Sequence, residues 1–297
     1  MFSGLSAFPL TPIHNNQVDV NCYAGLIERL VQANVDSICT LGSTGSYAYL
    51  DRQERNLVAK VTTEIATSIP VMVGISAMST REVLVLAEEA QLSGASAVLL
   101  APMSYQKLTA KEVYQLYKEV TCNLSVPLCV YDNPSTTHFE FSDELHGSIA
   151  QLPNVKSIKI PGVPKELDVA KQRVVKLRSL LPEEISIGVS GDGDAATGLN
   201  AGCNVWYSVI GGLYPITAKA MTDAAKKGDF NEVLRLSNEL SLLWNLFQKS
   251  GGSLRVIAAA AELQELVKNP CLPHPLQSIG GCEREQLAEL IKRLKLN

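Results

Sequence analysis

The sequence predicts an α/β chain, a (β/α)8 TIM barrel followed by a C-terminal helical extension. Three observations carry this. Short β-branched runs alternate with longer segments whose apolar residues recur every three or four positions. That is the pattern of strand–helix–strand units with parallel strands and right-handed crossovers. Eight such strands fall within roughly the first 225 of the 297 residues, the complement of one closed barrel. Beyond about residue 215 the strand pattern stops and helical patterns continue alone. The expected division is therefore 1–225 for the barrel and 226–297 for the helical segment. A doubly wound open sheet is the competing arrangement. It requires a glycine-rich phosphate turn after the first strand, and Phe8-Pro9-Leu10-Thr11-Pro12 is not one.

In chain order, the predicted strands are residues 4–8, 37–41, 70–74, 97–100, 127–131, 155–159, 185–189 and 205–209. Between them lie amphipathic stretches such as Cys22 to Val31 and Val83 to Ala90. Ser93-Gly94-Ala95 and Ala201-Gly202 read as helix stops leading into the next strand. Three further helices are expected at 229–249, 253–268 and 284–295, separated by Gly251-Gly252 and by Pro270, Pro273 and Pro275. This appendix would pack on the barrel or join subunits.

Composition excludes several function classes. The chain is 46% hydrophobic and 19% charged, which argues against disorder. Its 26 basic and 30 acidic residues leave a net charge of −4, so no basic stripe serves nucleic acid. The seven cysteines are odd in number and none has CxxC spacing, as expected of buried free thiols rather than disulfides. Four scattered histidines argue against a metal site. No leader and no membrane-spanning stretch is visible, so a soluble cytoplasmic protein is the expectation.

In a barrel of this kind the site lies at the C-terminal ends of the strands. Lys159 is the most informative residue there. Within Val155-Lys156-Ser157-Ile158-Lys159-Ile160 the isoleucines suit the helix-facing side, so Lys159 points into the barrel mouth. Burial disfavours the charged amine, and a neutral amine in a dry pocket is what a Schiff-base nucleophile requires. The alternative is a rim lysine pairing with Asp192 or Asp194. Tyr131 ends the preceding strand, where its phenol could move protons or simply sit in the core. Gly42-Ser43-Thr44-Gly45 offers hydroxyls and free backbone N–H groups that could hold a carboxylate, or it is an ordinary loop. Asp192 and Asp194 could bind substrate hydroxyls or a cation, or be solvated.

Taken together these residues resemble the dihydrodipicolinate synthase/N-acetylneuraminate lyase family. The likeness rests on Gly42-Ser43-Thr44-Gly45, Tyr131-Asp132-Asn133-Pro134-Ser135, Val155 to Lys159, Ser190-Gly191-Asp192, and Gly202 through Pro215, where Ser208 and Pro215 fall in family positions. It implies that Lys159 attacks the ketone of pyruvate or another 2-keto acid and forms an imine. Tyr131 would relay protons with help from Ser43, and the substrate carboxylate would lie against Ser43 and Thr44. The resemblance implies no cofactor or metal beyond that covalent imine. It also implies a homotetramer, a 2-keto acid and an aldehyde or sugar acid as the small-molecule partners, and neither nucleic acid nor membrane.

The departures bear on the second substrate. Thr136 stands where the synthases carry an arginine that holds the aldehyde substrate's carboxylate; its loss removes a bidentate charge-assisted contact. Ser104 stands where the synthases place a tyrosine from a neighbouring subunit, with Tyr105 one residue later. His138, Ser46 and Ile160 replace a usual glycine, glutamate and acidic residue. Together with Asp192, Thr136 and Ser208 as candidate substrate contacts, these favour a sugar-acid or other 2-keto-acid aldolase. The alternatives are the lysine-biosynthetic 4-hydroxy-tetrahydrodipicolinate synthase, a keto-acid dehydratase, and a keto-acid-binding paralogue without turnover.

Overall fold

The computed structural model of the chain describes residues 1–296. Eight parallel strands close on themselves: β1 (Gly4–Ala7), β4 (Ser37–Thr40), β5 (Val71–Gly74), β6 (Ala97–Leu100), β7 (Leu128–Tyr131), β8 (Val155–Ile160), β9 (Ser186–Val189) and β10 (Val205–Ser208). They correspond to the eight predicted runs, neighbour to neighbour around the ring, with β1 meeting both β10 and β4. A small antiparallel hairpin, β2 (Ile13–His14) with β3 (Gln17–Val18), follows β1 and was not expected. Its turn is Asn15-Asn16, both at positive φ (52° and 59°), the geometry of a type I′ hairpin turn that asparagine tolerates.

The outer ring comprises α1 (Val20–Gln32), α2 (Arg52–Ala66), α3 (Thr80–Leu92), α4 (Ala110–Thr121), the short α5 (Pro134–Thr137), α6 (Asp143–Ala150), α7 (Leu167–Arg178), α8 (Ala195–Asn200) and α9 (Pro215–Lys226). The helix starts follow local chemistry. Asp51 with Glu54, and Thr109 with Glu112, form reciprocal capping boxes on α2 and α4, while Asp19, Ser79 and Ser142 cap α1, α3 and α6. The stops work as expected: Ala95 N donates to Ala90 O and Cys203 N to Gly198 O across the left-handed Gly94 and Gly202.

Four helices continue past the barrel: α10 (Phe230–Glu239), α11 (Ser241–Lys249), α12 (Leu254–Leu263) and α13 (Gly281–Leu294). The single helix expected over 229–249 is divided at Leu240. There the Ser237 carbonyl accepts both Leu240 N and Trp244 Nε1 at 3.1 and 3.0 Å, replacing the regular ladder. The helix expected over 253–268 stops at Leu263, because Glu265 turns left-handed and Leu266 N reaches back to Ala261 O. α10 packs on α8 and α9, and α13 on α11 and α12.

Two hydrophobic layers result. The larger lies between strands and helices and includes Val155, Ile158 and Ile160. The smaller fills the barrel, with Phe8, Cys39, Met72, Leu99, Cys129, Tyr131 and Tyr207 among its members. All seven cysteines are free, but Cys122 and Cys282 are exposed and Cys22 half-buried, so the expectation of buried thiols holds for four of them. Among the described residues no helix is long and apolar enough to cross a membrane, and no group of three or more His, Cys, Asp or Glu side chains could hold a metal ion.

Candidate active site

The site begins with a register irregularity. Leu128 pairs with Val155, but Cys129 pairs with Ser157, so β8 spends one extra residue, Lys156, against β7. Strict alternation from Val155, which faces the helices, would turn Ser157 and Lys159 outward as well. The bulge reverses the face. Ser157 Oγ lies 2.6 Å from the inward Tyr207 hydroxyl, and Lys159 stands beside Tyr131 at the barrel mouth.

Lys159 is 4% exposed. Its Nζ lies 4.0 Å from the centroid of the Tyr131 ring, 5.2 Å from that of Phe8 and 6.0 Å from that of Tyr207. No carboxylate pairs with it among the described residues, so the rim-lysine alternative does not describe this side chain. The ring faces exclude water and favour a cation through their quadrupoles. Gly188, opposite Lys159 on β9, keeps the interior open: a Cβ there would strike the Tyr207 ring.

Tyr131 presents its hydroxyl to two partners. Ser43 Oγ lies 3.3 Å away, and Asn133 Nδ2 donates to the phenol oxygen at 2.8 Å. Ser43 belongs to the turn after β4. That turn is held by Leu41 at φ 57°, whose carbonyl closes on Gly74 so tightly that no Cβ fits there. The amides of Ser43, Thr44 and Gly45 have no acceptor among the described residues, and Thr44 is buried beside them. Such a run of free N–H groups is an anion-binding concavity.

Tyr47 closes the same wall. Burial pushes its phenol up to about 12, with Tyr131 adjacent, and Arg55 lies over its ring at 5.4 Å. Arg55 is itself buried and donates to the carbonyls of Ser76 and Gly74. Behind Tyr131, Asp132 lies 3.4 Å from Nε2 of the buried His146. Sequence reasoning did not single out Tyr47, Asn133 or His146. Asn133 sat inside a quoted motif, and a polar residue between a strand end and a proline was the available signal.

Three residues expected as substrate contacts hydrogen-bond within the chain. Asp192 is neither solvated nor facing Lys159. Its Oδ1 accepts Trp206 Nε1 (3.0 Å) and Val209 N (3.2 Å), and its Oδ2 accepts Ile210 N (2.7 Å). It therefore anchors the chain after β10, and desolvation raises its carboxyl to about 6. Ser208 follows the inward Tyr207 and so faces the opposite way; its hydroxyl accepts Gly211 N at 2.8 Å. Thr136 is exposed, and its hydroxyl donates to the Asn133 carbonyl. Ser208 and Thr136 thus satisfy neighbouring backbone groups, whereas Asp192 joins the β9 end to the chain around β10. Asp194 is half-buried, and desolvation pushes its carboxyl up.

A buried lysine, an adjoining tyrosine with a serine on its hydroxyl, and an amide-lined turn occupy one end of one barrel. A model described as the dihydrodipicolinate synthetase family matches residues 1–294. The chain belongs to that family. Membership places it among the carbon–carbon lyases and synthases of class I, Schiff-base aldolase type. It is 27% identical to the 4-hydroxy-tetrahydrodipicolinate synthase of Rickettsia rickettsii, over all of this chain and 98% of that one. The fold is similar to the crystal structure of dihydrodipicolinate synthase from Agrobacterium tumefaciens, with TM-score 0.94, 40% identity, and coverage of 99% and 98% of the two chains. It is also similar to the chloride-inhibited enzyme from Acinetobacter baumannii complexed with pyruvate, with TM-score 0.90 and 25% identity over both whole chains.

Against the dihydrodipicolinate synthetase pattern, two departures acquire a physical setting. His138 caps α5 in the left-handed region (φ 56°), which explains why glycine suits that place and why histidine is tolerated. Ser104 is half-buried and accepts Gln106 N, whereas Tyr105 is 89% exposed.

Proposed function

We propose that the chain is a pyruvate- or 2-keto-acid-dependent aldolase that works through an imine on Lys159. The observation that carries this is the buried Lys159 amine, free of any carboxylate and flanked by the Tyr131 phenol. The keto acid's carboxylate would dock on the Ser43–Thr44–Gly45 amides, which presents its C2 carbonyl to Lys159 Nζ. The amine adds to C2, and Tyr131 passes a proton to the carbinolamine hydroxyl, which leaves as water. The protonated imine then withdraws electrons from C3. Loss of a C3 proton gives an enamine that adds to an aldehyde carbonyl, and the reverse sequence cleaves the same bond. Hydrolysis regenerates the lysine. The imine is itself the electron sink, so the reading calls for no metal or organic cofactor.

For the second substrate we propose a sugar-acid-derived or other aldehyde without the carboxylate that the synthases grip, since Thr136 is exposed where their arginine stands. The 4-hydroxy-tetrahydrodipicolinate synthase reading is the second one, favoured by the names of the curated relatives. A cytoplasmic homotetramer belongs to the proposal on the family resemblance alone.

Borohydride trapping with pyruvate, read by intact mass and peptide mapping, tests the centre. An adduct on Lys159 that is absent in Lys159→Ala is the expected result. No adduct with pyruvate or longer keto acids overturns the reading in favour of a non-catalytic keto-acid binder. Condensation assays with aspartate semialdehyde and with sugar-derived aldehydes separate the two substrate readings. Restoring the arginine in Thr136→Arg should raise turnover of the semialdehyde only if the pocket otherwise accepts it.

A further inference from the structure

We propose that Asn133 is a positioning residue for the Tyr131 phenol, its side-chain amide donating to the oxygen that exchanges protons with the substrate. The inference rests on the imine reading above. Asn133 Nδ2 lies 2.8 Å from Tyr131 Oη, closer than Ser43 Oγ at 3.3 Å, so the amide is the shorter of the two contacts to the phenol. Its orientation is fixed at both ends. Asn133 Oδ1 accepts the Ser135 hydroxyl at 2.7 Å, which turns the NH2 group toward Tyr131. The Asn133 carbonyl accepts Thr136 N, Thr137 N and Thr137 Oγ1 at 3.1, 3.0 and 3.0 Å, which pins the backbone as the cap of α5. Pro134 at the first helical position then holds the turn.

The chemistry follows from which atom donates. A phenol that accepts from an amide has its own O–H free to point at Ser43 or at substrate. When that proton departs, the amide stays as a donor to the phenolate, and a hydrogen bond to a charged oxygen is about twice as strong as a neutral one. The interaction therefore strengthens when the proton is handed over, which is the condition for lowering a barrier rather than binding the ground state. Ser135 holds the far end of the amide through its hydroxyl. Asn133 and Ser135 make no hydrogen bond to the Ser43–Thr44–Gly45 turn, so keto-acid docking does not depend on Asn133, whereas the rate at which Tyr131 protonates the carbinolamine does.

Two half-reactions separate the roles, using pyruvate as the only substrate. Borohydride trapping reports imine formation on Lys159. Exchange of the pyruvate methyl hydrogens for solvent deuterium, followed by proton NMR, reports proton transfer after the imine has formed. Asn133→Asp keeps the shape and loses the donor; Asn133→Leu loses both. Both variants should reach the parental extent of trapping, though more slowly, and show a pyruvate KM within about twofold, while methyl exchange, which requires the imine, slows at least tenfold. Thermal unfolding within a few degrees of the parent in Asn133→Asp shows that the fold is retained. Exchange at the parental rate in Asn133→Asp overturns the proposal, including the case in which only Asn133→Leu is slow, because shape and not the donor would then matter. No adduct on the parent protein overturns the imine reading and with it this role. An adduct with unaltered exchange overturns the role of Asn133 alone.

Discussion

Tyr131 and Lys159 are register partners on adjacent parallel strands, and the lysine Nζ sits 4.0 Å from the tyrosine ring centroid. The contact is with the ring face. The hydroxyl is directed past the amine toward Ser43, so amine and phenol reach different atoms of one bound molecule. Tyr131→Phe should therefore keep the borohydride adduct and lose turnover by about 10²- to 10⁴-fold, the usual worth of a positioned acid–base group. Failure to reach the parental extent of adduct even at long times and saturating pyruvate would place Tyr131 in binding instead.

Ser43→Ala removes one of the two partners of the Tyr131 hydroxyl and leaves the turn's amides in place. A kcat decrease of roughly tenfold with little change in pyruvate KM is expected, since one neutral hydrogen bond is worth about 1 kcal/mol. Steady-state kinetics on the purified variant decides it.

Gly74→Ala tests the turn from below. The added methyl would collide with the Leu41 carbonyl, a backbone atom that cannot rotate away. We expect a loss of about 1–3 kcal/mol by denaturant unfolding, as for other overpacked sites. Because Leu41 leads directly into the Ser43–Thr44 amides, pyruvate KM should rise as well. A stable variant with parental KM would show that the turn is not held by this contact.

Asp192 supplies a pH signature of stability. Desolvation lifts its carboxyl from 3.8 to about 6 in the fold, above the unfolded value. The native state thus binds the extra proton, and the contribution is present in full below about pH 4 and lost as pH rises through about 6. Two units correspond to at most about 3 kcal/mol. Asp192→Asn lacks this slope, so the Tm gap between parent and variant should narrow from pH 4 to pH 6.5. A gap that stays constant or widens would mean that the three donors on Asp192, and not its burial, control its charge.

The barrel was legible because the strands are short apolar runs, most of them with β-branched residues, each closed by a glycine or proline signal, and such patterns are local. Lys159 was legible because Ile158 and Ile160 beside it claim the helix-facing side. The β2–β3 hairpin escaped because two residues per strand are too few to show alternation, although Asn15-Asn16 carried its turn. The partners of Asp192 were hidden because Trp206, Val209 and Ile210 lie 14 to 18 residues downstream and meet it only when β9 and β10 pair. Thr136 was read for what it replaced, and its own hydroxyl is already engaged by the Asn133 carbonyl.

Lys156 illustrates a residue that the reactive face needs neither for its identity nor for its presence. Its side chain is half exposed, in a surface pair with Glu184 at 3.6 Å that contributes little. A scan by substitution would pass over it. Deleting it would remove the bulge and let Val155 and Ser157 alternate directly, so Ser157 and Lys159 would keep the barrel side and Ile158 and Ile160 the helix side. The bulge thus absorbs an odd residue ahead of the reactive face, whereas losing Ile158, between inward Ser157 and Lys159, would turn the lysine toward the helices and silence the protein as thoroughly as mutating it.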